Sequence, residues 1–82
     1  MKFTNIELEN KVLMMKLRGY KLVTGVRKGQ VAFTNFQPID GDDDDIDTII
    51  MESATMTYHS HFEYAVMLSL EKAIKYLQIE EF

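Results

Sequence analysis

The stretch from Ser60 to Ile79 limits this chain more than any other, because it carries one unbroken helical pattern. Phe62, Val66, Ser69, Leu70, Ala73 and Leu77 recur at helical spacing, and Ala65 and Tyr76 widen the same stripe. Glu71, Lys75 and Gln78 take the opposite side, with Tyr64 beside them. Ser60-His61-Phe62-Glu63 has the form of a capping box, with the Ser60 hydroxyl accepting from the Glu63 N–H and the Glu63 carboxylate from that of Ser60. No Gly or Pro interrupts the run. A helix with so continuous an apolar stripe needs other elements to cover it, and the first question is what the rest of the chain supplies.

Thr4-Asn5-Ile6-Glu7 is a second capping box, with Phe3 and Leu8 placed as a hydrophobic staple. That helix runs to about Arg18, where Gly19 can take the left-handed conformation that ends it. Its apolar residues fall into two groups. Leu8, Val12 and Met15 share one side, while Ile6, Leu13 and Leu17 lie nearly opposite. Tyr20–Val26 and Gln30–Phe36 are rich in Val, Phe, Thr and Tyr, and Arg27-Lys28-Gly29 between them predicts a hairpin with a bulge at Gly29. Pro38 ends the second arm, since it has no N–H to give. Residues 48–58 carry two patterns. Ile46, Ile49, Ile50 and Ala54 have helical spacing behind aspartates placed as N-caps. The abundance of Ile, Thr and Tyr, and the alternation through Ala54, Met56 and Tyr58, favour a third strand. The expected fold is α+β in the order α-β-β-β-α, a short antiparallel sheet with two helices packed on one face, in a single domain over residues 1–82.

Charge is distributed unevenly. The chain carries a formal −4, yet residues 1–28 hold seven bases against Glu7 and Glu9. Residues 29–71 hold nine acids and no Lys or Arg, and six of those acids fall in the segment 37–47: Asp40, Asp42, Asp43, Asp44, Asp45 and Asp47. Repulsion within such a run predicts an extended, solvated loop. With no cysteine, neither disulfides nor thiolate chemistry is available. The first residues have no apolar core of a signal peptide and no apolar run reaches spanning length, so the expectation is a cytoplasmic protein without membrane contact.

The aspartate run fails as a calcium loop of the EF-hand kind. Counting from Asp40, Asp42 and Asp44 fit, but Asp45 stands where Gly is needed, Asp47 where an apolar residue is needed, and Met51 where the closing Glu belongs. Clustered carboxylates still suit a divalent cation in another geometry, which makes a cation-binding protein one alternative, although no metal ligand set can be named. His59 and His61 with Glu63 lack a third His or Cys and read as residues of a strand–helix junction. Ser53, Ser60 and Ser69 have no G-x-S-x-G elbow, and Gly19, Gly25, Gly29 and Gly41 are too dispersed for a phosphate loop. No enzyme and no cofactor are expected.

A row of carboxylates offers a basic surface some of what a phosphate backbone offers. The favoured expectation is therefore a non-enzymatic interaction module, an inhibitor or adaptor in the style of phage and mobile-element accessory proteins. Its six aspartates would contact a basic surface on a partner protein, such as one that handles nucleic acid. Ile6, Leu13, Met14 and Leu17 supply a second partner face or a homodimer contact; Met is common on adaptable surfaces. The alternative is direct nucleic-acid binding through Lys11, Arg18, Arg27 and Lys28. The aspartate run argues against that alternative because it repels the same polyanion.

Overall fold

A computed structural model of the chain describes residues 4–27 and 31–81. The first helix, α1 (Asn5–Leu17), begins as its sequence predicts. Thr4 Oγ1 accepts the Glu7 N–H and Glu7 Oε2 accepts the Thr4 N–H, each at 3.2 Å. Two N–H groups that a helix start leaves without intrahelical partners are thereby satisfied. At the other end Gly19 takes φ 96°, a region where any side chain is strained. The Phe3 staple and the Gly29 bulge lie outside the described residues.

Strands β1 (Tyr20–Arg27) and β2 (Val31–Pro38) pair antiparallel, with Tyr20 opposite Pro38, Leu22 opposite Phe36 and Arg27 opposite Val31. The expected third strand over 48–58 is mostly a helix. α2 (Ile46–Thr55) comes first, and only β3 (Thr57–His59) is extended, antiparallel to Ala32–Thr34 of β2. The sheet order is β1-β2-β3, and the chain order is α-β-β-α-β-α, with three helices instead of the expected two. The helix-start signal outweighed the β-branched composition. Asp45 is the N-cap and its Oδ1 accepts the Asp47 N–H at 2.8 Å, while both carboxylates complement the positive end of the helix dipole. Strand propensity mostly reports packing on a pleated surface, and here that surface is occupied otherwise. β3 pairs with β2 only at residues 32–34, and beyond it α2 runs beside the remaining edge. There Thr55 Oγ1 accepts the Phe36 N–H at 2.8 Å.

The isoleucines of α2 also break expectation. Thr48, Met51 and Thr55 are buried, whereas Ile46, Ile49 and Ile50 are exposed. Thr48 is held close by the preceding loop, for a Cβ on Gly41 would collide with the Thr48 hydroxyl.

The last helix, α3 (Phe62–Leu77), starts later than predicted. His61 is its N-cap with no side-chain cap bond, so the Ser60–Glu63 capping box does not form. The Ser60 hydroxyl is paired with His61 Nδ1 at 3.2 Å instead, and the His61 N–H donates to His59 Nδ1 at 3.0 Å. The junction is organised by its two imidazoles. Helix α3 ends at Gln78, which is left-handed at φ 55°. Its stripe is buried at Ala65, Val66, Ser69, Leu70 and Ala73, but Phe62 and Tyr76 at the two ends are about half exposed.

One hydrophobic core gathers Leu8 and Met15 of α1, Phe36 of β2, Met51 of α2, and Val66, Met67, Leu70 and Ala73 of α3. Inside it, Thr34 Oγ1 donates to the Ala65 carbonyl at 2.9 Å and Ser69 Oγ to the Thr34 carbonyl at 3.1 Å, with the two hydroxyls in direct contact. These bonds stitch β2 to α3 and satisfy polar groups that would otherwise be costly to bury.

Candidate functional site

The acidic segment is folded, not extended. Residues 37 and 38 belong to β2, the Gly41 N–H donates to the Pro38 carbonyl at 3.2 Å, the Asp45 N–H donates to the Asp42 carbonyl at 2.9 Å, and Asp47 is already in the first turn of α2. The capping of α2 supplies what repulsion would deny, because carboxylates at a helix start meet unpaired N–H groups and the dipole. Ile39 is tied back as well, its N–H donating to the Gly19 carbonyl at 2.9 Å. That bond extends the β1–β2 pairing by one step and sets the acidic segment beside the end of α1.

A cleft of about 550 Å³ results. Asp40, Asp45 and Asp47 line it from the loop and the start of α2. Ile50 and Met51 of α2, Tyr76 and Leu77 of α3 and Tyr20 of β1 supply apolar surface, and Arg18 stands at the end of α1. All six aspartates are exposed. Asp42, Asp43 and Asp44 do not line the cleft and form the outer part of the same run. Arg18 donates through Nη2 to the Glu81 carbonyl at 3.2 Å, which ties it to the chain beyond α3.

The other site residues read from the sequence are placed elsewhere. Ile6, Leu13 and Leu17 are 71%, 54% and 75% exposed, and Met14 also faces solvent, so the outer face of α1 is uncovered by the described residues. The basic set is not brought together. Lys11 is half-buried on α1 and Arg18 borders the acidic cleft. Arg27 ends β1, a strand of eight residues and so about 23 Å long from Tyr20. Lys28 lies outside the described residues. His59 and His61 meet edge to face with ring centres 5.6 Å apart, and His59 stacks obliquely on Tyr64 at 4.4 Å. Among the described residues no three His, Cys, Asp or Glu side chains are grouped so that they could hold a metal ion. No described helix is long and apolar enough to cross a membrane.

The sequence places the aspartates at the site but not its other walls: it puts Tyr76 on the buried stripe of α3, Ile50 in a strand and Arg18 with the other bases. The helical spacing of Ile46, Ile49 and Ile50 behind Asp45 was the available signal for α2. The Ile39–Gly19 bond continues the β1–β2 hairpin one step past Tyr20 opposite Pro38, so the expected hairpin is the signal for it.

Compared with known protein families, curated proteins and solved structures, the chain has no match in any of the three.

Proposed function

We propose that the protein is a non-enzymatic interaction module, an inhibitor or adaptor, that docks its aspartate-lined cleft onto a basic surface of a partner protein. The observation that carries this reading is the juxtaposition of Asp40, Asp45 and Asp47 with the exposed side chains of Ile50 and Tyr76 around one cleft. A lysine or arginine side chain combines an apolar stem with a cationic head. Such a cleft suits both ends. The stem packs along Ile50, the head meets the carboxylates, and the Tyr76 ring face attracts the same cation. Asp42, Asp43 and Asp44 extend the negative field outward, where they steer encounter and raise the on-rate.

The test is titration of a lysine- and arginine-rich peptide into the full chain across a salt series. Affinity should fall as salt rises, fall further with Asp40→Asn and Asp47→Asn together, and fall also with Tyr76→Ala. Asn caps a helix about as well as Asp, so Asp45→Asn can be added with α2 retained. Affinity that ignores both salt and these substitutions ends the proposal, and so does tighter binding to an oligonucleotide than to the peptide.

A further inference from the structure

We infer that two copies of the chain associate through the outer face of α1, with the two helices antiparallel. Ile6, Leu13 and Leu17 form an apolar line along this helix that the described residues leave uncovered, with the exposed Asn10 between them. The charges beside that line select the occupant. Glu9 and Lys16 are both exposed and sit seven residues apart, hence on nearly the same angular position of one flank. They are about 10 Å apart along the axis, too far to pair within one helix. A two-fold with antiparallel axes sets each flank against the same flank of its mate. With the dyad level with residues 11 and 12, Ile6 packs on the second copy's Leu17 and Leu13 beside the second copy's Asn10. Glu9 then lies over the second copy's Lys16 with an axial offset of about 3 Å, and the symmetry repeats the pair. Parallel packing carries the two flanks to opposite sides and forms neither pair. A basic or acidic foreign helix satisfies only one of the two signs, whereas a second copy satisfies both.

The contact is short. α1 has 13 residues and spans about 20 Å, so the interface is at the small end and the association is concentration-dependent. Sedimentation equilibrium of the full chain at low salt, from about 10 µM to about 1 mM, should show the mass rising from monomer toward dimer. Leu13→Asp should abolish the rise while the circular dichroism stays unchanged, since this side chain is on the surface. Glu9→Lys alone and Lys16→Glu alone should each weaken the dimer roughly three- to tenfold. The double swap should restore it, and mixing the two single variants should yield a heterodimer. A monomer throughout the range overturns the inference, as does a dimer indifferent to Leu13→Asp. A dimer that loses affinity in the single swaps and fails to regain it in the double swap or the mixture overturns the antiparallel arrangement.

Discussion

Thr55 Oγ1 accepts the Phe36 N–H at 2.8 Å and donates to the Met51 carbonyl at 2.9 Å, so one side chain joins a helix to the edge of a strand. It takes over where β3 stops. Thr55→Val keeps the shape, removes the hydroxyl and leaves a buried N–H without its partner. The expected cost is about 1–3 kcal/mol of stability, read from the urea midpoint at constant slope. Thr55→Ser should recover most of it, whereas an unchanged midpoint in the valine variant would show that this N–H needs no acceptor.

The hydroxyls of Thr34 and Ser69 form a second joint, between β2 and α3. Thr34→Val removes the bond to the Ala65 carbonyl and one of the two partners of Ser69, and Ser69→Ala removes the donor to the Thr34 carbonyl and one of the two partners of the Thr34 hydroxyl. Each should cost about 1–2 kcal/mol, while the double variant should cost less than the two together, since it removes both ends of the same network. Strict additivity in chemical denaturation would contradict the coupling.

Gly41 lies so close to the Thr48 hydroxyl that no Cβ fits between them. Gly41→Ala should therefore destabilise by about 1–3 kcal/mol. Thr48 Oγ1 is itself buried with no hydrogen-bond partner, so Thr48→Ala should cost less than burial alone suggests and should rescue Gly41→Ala. Thermal unfolding of the two single variants and the double variant measures this. A double variant no better than Gly41→Ala would place the strain elsewhere.

Gln78 closes α3 at φ 55°, a conformation that suits glycine. Gln78→Gly should raise stability by about 0.5–1 kcal/mol, the relief of the left-handed strain less the extra freedom of glycine in the unfolded chain. A lower melting temperature in this variant would show that the Gln78 side chain contributes more than its backbone costs.

The parts of the fold legible in the sequence are those specified by neighbours a few residues apart. The Thr4–Glu7 box and the Gly19 stop both follow from local rules. In α2 composition and spacing disagree, and the capping by Asp45 decides for the helix. Ser60 has the sequence of a cap, but the neighbouring imidazole competes for its hydroxyl. The six aspartates are visible as a group, but their cleft also needs the exposed end of α3 beside the start of α2. That approach is a long-range consequence of packing that no short window contains.

The sheet order leaves the two outer strands unequal. β3 has three residues, too few to template another chain, whereas β1 offers eight along its unpaired side. Among the described residues, a strand that joined this sheet would therefore find its longer border at β1. An added β-strand there would leave the outer face of α1 untouched, so edge pairing and helix pairing are separate events.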